Sequence, residues 1–150
     1  MLKRLVETSD DVTALVVRLA LGIVIFPHGA QKALGWFGGY GFAGTLDFFT
    51  GKMGIPTIFA LLAIAAEFLG SLGLIVGFLS RVAAFGVFCV MATATAMVHL
   101  KVGFFMNWAG MMPAGHEGFE FHILAMALAF AVMVRGAGAL SVDRALAGRL

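Results

Sequence analysis

The stretch VTALVVRLALGIVIFPHGAQKAL, residues 12–34, decides the fold. It is almost wholly apolar, and at 1.5 Å per residue it is long enough to cross a hydrocarbon core, which needs about 20 helical residues. Three more apolar stretches follow, at residues 56–79, 82–102 and 119–136. Hydrophobic residues make up 61% of the 150-residue chain and charged residues 12%, with a mean hydropathy of +1.02. Soluble domains carry roughly twice that share of charge, so the solvent for most of this surface is lipid. The fold class expected is all-α: an integral membrane, antiparallel four-helix bundle forming one domain.

The first span carries Arg18 and has no small-residue cleavage site after its apolar run, so it is expected to be a retained helix and not a cleaved signal peptide. An even number of spans puts both termini on one side. That side collects Lys3, Arg4, Arg81, Arg135, Arg144 and Arg149, against Lys32, Lys52 and Lys101 on the other. The excess predicts cytoplasmic termini and a multi-pass protein of the plasma membrane. Residues 77–81 form a link so short that spans two and three must be an antiparallel hairpin. The first outer loop, WFGGYGFAGTLDFFTGKMGI, is too apolar to float free. A short interfacial helix at about residues 42–53 suits it, with Trp36 and Tyr40 in the aromatic belt. Gly73 and Gly77 form a GxxxG pair, read as close helix packing within the bundle or as a dimer face.

A net charge of +2 with scattered basic residues argues against nucleic acid as a partner. The expected partners are the bilayer and other membrane or peripheral subunits, or further copies of the chain. The single Cys89 lies within the third span and allows neither an internal disulfide nor a CxxC redox pair.

The polar residues inside the spans carry the functional expectation, because charge at membrane depth faces partners or cavities. His28 lies about 24 Å along the first span and His99 about 26 Å along the third, while His122 is about 5 Å below the outer edge on the fourth. Gln31 and Lys32 follow His28 by three and four residues, so they share its helix face. His28, Gln31, Lys32, His99 and His122 are therefore the expected ligand-binding layer near the outer surface. Glu67, about 17 Å from the outer edge, and Glu120 are the expected proton-handling, catalytic carboxylates. Arg18 and Glu67 are also expected to form a structural ion pair between the first two spans, a role weighed equally with proton handling for Glu67.

This donor set suits the carbonyls of a quinone headgroup. Three imidazoles and a carboxylate are enough for zinc or iron, but no HxxxH or ExxH motif is present, and no metal is assigned. A haem between two histidines at matched depth fits less well than a quinone. The cofactor itself stays open.

Four segments together resemble one family. RLALGIVIFPHGAQKALGWFGGYG (residues 18–41) is similar to the first-span signature of the DoxX family of small membrane proteins. AAEFLGSLGLIVGFLSR (65–81), HLKVGFF (99–105) and GAGALSVDRAL (136–146) resemble its second span, third-span exit and closing segment. The resemblance implies a four-helix integral membrane protein, a subunit of a membrane oxidoreductase, with links in some members to a thiosulfate:quinone oxidoreductase or to thiol and oxidative stress. It carries over Arg18, His28, Gln31, Lys32, Glu67, Arg81 and His99 as candidates without settled roles. The chain shows no flavin or iron–sulfur motif, so redox turnover is expected to need partner subunits. A small-solute carrier and a scaffold without chemistry are the alternative readings.

Overall fold

The computed structural model describes residues 2–113 and 115–149. Among these residues there is no strand. The helices are α1 (Leu2–Val6), α2 (Val12–Leu34), α3 (Gly41–Asp47), α4 (Thr57–Val76), α5 (Ser80–Met97), α6 (Glu120–Arg135) and α7 (Val142–Ala147). A π-helical turn, Phe48–Lys52, continues α3, so the first outer loop is helical where a short helix is expected. Three helices, α2, α4 and α5, are long and apolar enough to cross a membrane. The 16-residue α6 is shorter.

The helix ends follow local chemistry. Asp11 caps α2 by accepting from the Ala14 N–H at 3.1 Å, satisfying one of the first-turn donors that have no intrahelical partner. Gly35 closes α2 in the left-handed region at φ 75°, a conformation that glycine adopts without a Cβ penalty. The third apolar run reads through to residue 102, but α5 ends at Met97 and His99–Lys101 forms a separate 3-10 turn.

The four long helices pack in ring order, α2 on α4, α4 on α5, α5 on α6 and α6 back on α2, with the last seam the loosest. Leu21, Ile25, Leu74, Val87, Met91 and Val132 form the centre. Small residues bring the helices close: a Cβ placed on Gly29 would meet the Glu67 carbonyl oxygen at 2.5 Å. Large apolar side chains such as Ile23, Phe59, Leu69, Phe85, Leu124 and Phe130 point outward. Such an inverted distribution requires an apolar surrounding.

The Gly73–Gly77 pair is not an open dimer face. Gly77 is the C-cap of α4, at φ 74°, and a Cβ there would lie 3.1 Å from the Arg18 guanidinium carbon and within 2.9 Å of Ser141. The pair ends a helix and docks the closing segment inside the same chain.

Candidate functional site

The polar residues separate into two layers, one at each end of the helices. In the layer at the end away from the termini, Lys32 of α2 reaches across to α4, where its Nζ lies 2.5 Å from Glu67 Oε2. Glu67 is only 3% exposed. Gly29 makes the contact possible, because its bare backbone lies against that of Glu67 and Phe68. Lys32 Nζ also donates to the His28 carbonyl at 3.5 Å. His28 is exposed, and its ring lies 6.2 Å from Phe121 on α6. Phe26 of α2 and Phe68 of α4 stack at 6.1 Å across the same pair of helices.

The second element of this layer is a pair of imidazoles. The His99 and His122 rings lie 4.0 Å apart. His99 Nδ1 is 2.6 Å from the Glu117 carbonyl oxygen, which makes Nδ1 the protonated nitrogen and leaves Nε2 free to accept. His122 is buried, and its Nδ1 has no hydrogen-bond partner among the described residues. Phe121 adjoins both His28 and His122, the latter at 5.7 Å, and so bridges the two elements. Among the described residues no group of three or more His, Cys, Asp or Glu side chains converges as a metal site.

Two expected members lie elsewhere. Gln31 donates to the Phe37 carbonyl at 3.3 Å and ties the glycine-rich exit turn onto α2. The Glu120 carboxylate accepts from the Met106 N–H at 3.0 Å and from Trp108 Nε1 at 2.7 Å. It organises the second outer loop and does not face Lys32 or Glu67. Of the two carboxylates expected to handle protons, Glu67 alone is in the layer.

The expected Arg18–Glu67 ion pair does not form. Leu74 is seven residues beyond Glu67 on α4, about 10 Å along the axis, and Arg18 is level with Leu74. Its guanidinium donates to the carbonyls of Leu74 (2.5 Å) and Ile75 (2.7 Å), and to those of Ala137 (2.8 Å), Ala139 (3.4 Å) and Leu140 (3.3 Å). The last-turn carbonyls of a helix have no intrahelical donor, and a planar five-donor group satisfies several at once. Arg18 is thus a C-terminal cap for α4 that also holds the closing segment.

The rest of this end follows the same logic. Asp143 of α7 accepts from the N–H groups of Leu79 (2.7 Å) and Ser80 (2.8 Å) and caps α5. Arg81 donates to the carbonyls of Met133 and Val134 at the end of α6. Arg135 pairs with Asp11 at 2.5 Å and Arg144 with Asp10 at 2.6 Å. The hydrogen bond from Arg135, then that from the Ala14 N–H, holds the Asp11 carboxyl below its ordinary range. Asp143 was missed as a structural residue because it caps a helix 63 positions away. The local signal is slight: an acidic side chain between Ser141 and Arg144 in the closing segment.

The DoxX family model matches residues 13–100, more than half of the chain. The chain belongs to the DoxX family. In this DoxX protein the matched segment contains Arg18, Lys32 and Glu67 and runs to just past His99, while His122 on α6 lies beyond it. A protein of Bacillus subtilis (strain 168) named "Putative oxidoreductase CatD" is 29% identical over 99 residues, which cover 66% of this chain and 69% of that protein. No solved structure matches.

Proposed function

We propose that this DoxX protein is a four-span subunit of a membrane oxidoreductase that binds a quinone or a similar lipophilic redox molecule near its outer face. The observation that carries the proposal is the Lys32–Glu67 pair: a buried carboxylate held by a lysine of the neighbouring helix, which also donates to the backbone of the exposed His28. Ionisable groups at this depth mark functional sites by default. The name of the Bacillus subtilis relative agrees with redox work.

The residues fit a quinone headgroup. Lys32 Nζ has three donors, of which Glu67 and the His28 carbonyl take two, and the third is free for a ligand oxygen. The His28 imidazole supplies a second donor or acceptor at the exposed rim. Glu67, held by Lys32, is placed to take or give a proton. A bound quinone supplies the two-electron, two-proton chemistry. The His99–His122 pair, linked to this group through Phe121, is suited to passing protons.

A fourth span at α6 is supported by its packing against α2 and α5 and by the outward Leu124, Phe130 and Val134. Helix α3 and its π turn lie in the outer interface. Arg81, Arg135, Arg144 and both terminal helices share the opposite end, which supports cytoplasmic termini in the plasma membrane.

The test is direct. The protein is purified in mild detergent, and quinone is sought by solvent extraction and by a reduced-minus-oxidised ultraviolet difference spectrum. Wild type should retain quinone, or bind an added short-chain benzoquinone, and Lys32→Met should lose it at least tenfold with its helicity intact. No binding to folded wild type sinks the quinone site and leaves a scaffold subunit as the reading. A carrier path through Arg18 has little support, since that guanidinium is held by five carbonyls.

A further inference from the structure

The α2–α6 seam opens, at the end carrying the termini, into a cleft of about 210 Å³. Its walls are Ala14 and Val17 of α2 and Ala131 and Val132 of α6, and the Asp11–Arg135 ion pair stands at its mouth. The alanines create the space by leaving facing positions without bulk. From Asp11 to Val17 the cleft runs about 9 Å along the axis, the depth from a headgroup to the upper part of an acyl chain. Its volume falls below the roughly 300 Å³ at which drug-sized pockets begin.

The chemistry at the mouth is asymmetric. Arg135 gives Nε (3.2 Å) and one Nη (2.5 Å) to Asp11 Oδ2, and its side chain is 64% exposed. Its other Nη makes no hydrogen bond among the described residues. Asp11 is neutralised on one side by this arginine and on the other by the first turn of α2, where it accepts from the Ala14 N–H. A free guanidinium edge therefore stands at the headgroup level above an apolar slot.

We propose that this cleft is a binding site for one anionic phospholipid, with its phosphate on the free edge of Arg135 and its proximal acyl segment between Ala14 and Ala131. Arg135 is shared with Asp11, so the hold on a phosphate comes from the hydrogen-bond donors of its free edge, as in the basic pockets between membrane helices that take anionic headgroups. The occupant completes the seam that the side chains leave loosest. The site is distinct from the Lys32–Glu67 layer and rests only on α2 and α6 both crossing the bilayer.

Native mass spectrometry of the protein in mild detergent, titrated with phosphatidylglycerol or with phosphatidylcholine of the same chains, tests it. Wild type should take up one phosphatidylglycerol in preference to phosphatidylcholine. Arg135→Gln should weaken that uptake about fivefold, the worth of one basic residue at a membrane surface, while Arg135→Lys keeps most of it. Ala131→Phe, which fills the slot and touches no charge, should remove uptake of both lipids at this site. Replacing Lys3 and Arg4 with Gln should change nothing. Equal uptake of the two lipids by wild type, or undiminished phosphatidylglycerol binding in folded Ala131→Phe, overturns the proposal. If Arg135→Gln does not fold, those two measurements still decide. Release of the protein from membranes by alkaline carbonate would instead overturn the spanning assignment.

Discussion

Lys32 of α2 and Glu67 of α4 meet at 2.5 Å across a helix crossing that Gly29 keeps free of side chain. Position 29 supplies the approach, and positions 32 and 67 supply the charges that it brings together.

Removing one charge should cost more than removing both. Lys32→Met strands a carboxylate that is only 5% exposed, and breaking a buried pair from one side costs about 3–5 kcal/mol. The exposure of Lys32 places the expected loss near the lower figure. The double variant Lys32→Met/Glu67→Leu should regain most of it. Unfolding in mixed detergent micelles measures this, and a double variant as unstable as the single one would refute it.

Close approach can be tested without touching charge. A Cβ at Gly29 would fall 2.5–2.6 Å from α4 backbone atoms, whereas at Gly22 it would fall 3.0–3.1 Å from Leu74 and Ile75. Backbone cannot yield as a flexible side chain does, so Gly29→Ala should lose about 1–3 kcal/mol, and Gly22→Ala less. Gly29→Ala should also weaken any ligand that depends on the Lys32–Glu67 geometry. Equal stability of the two variants would contradict the crossing described.

Arg18 should tolerate no conservative exchange. Lysine has three donors on a point charge and cannot reproduce a planar group bonded to five carbonyls on two segments. Arg18→Lys is expected to destabilise by several kcal/mol, toward the range for broken buried charge networks. Its first symptom should be proteolysis at residues 136–141. The Lys32–Glu67 end, about 21 Å away along α2, should keep its ligand affinity in whatever fraction folds.

Acid should loosen the terminal end of the α2–α6 seam in a defined direction. The Asp11 carboxyl lies below its ordinary value because Arg135 and the Ala14 N–H stabilise its charged form. Its contribution is therefore complete above the unfolded value of about 3.9 and disappears as pH falls through the lower folded value. Asp11→Asn should lower the thermal midpoint at about pH 6, and the gap to wild type should narrow as pH falls below the unfolded value of about 3.9. A gap that stays constant over that range would remove Asp11 from the acid dependence.

Apolar run length was enough to read α2, α4 and α5 from the sequence. Counting depth along them brought His99 and His122 to one level, where their rings lie 4.0 Å apart. Depth alone misplaced Arg18, because it records charges and ignores the open carbonyls at the end of α4, which attracted the guanidinium more closely than Glu67 could. Asp143 was hidden, and Arg81 was a candidate without a role, for a related reason. Capping groups usually sit beside the helix they cap, yet these cap helices 63 and 52 positions away, and no local pattern announces a long-range cap. Glu120 opens α6, and its carboxylate is taken by the Met106 N–H and Trp108 Nε1 of the preceding loop, partners that depth counting does not weigh.

The unequal helix lengths have a mechanical consequence. Helix α2, with 23 residues, measures about 35 Å, and α6, with 16, about 24 Å, against a hydrocarbon thickness of about 30 Å. On the four-span reading proposed above, a bilayer that wraps both must thin on one flank and tilt or thicken on the other, at a cost of fractions of a kcal/mol per ångström. The protein would then impose a wedge-shaped strain on its surroundings. Two such wedges would relieve it by setting their thin flanks together, which would make membrane thickness a variable in where the chain gathers.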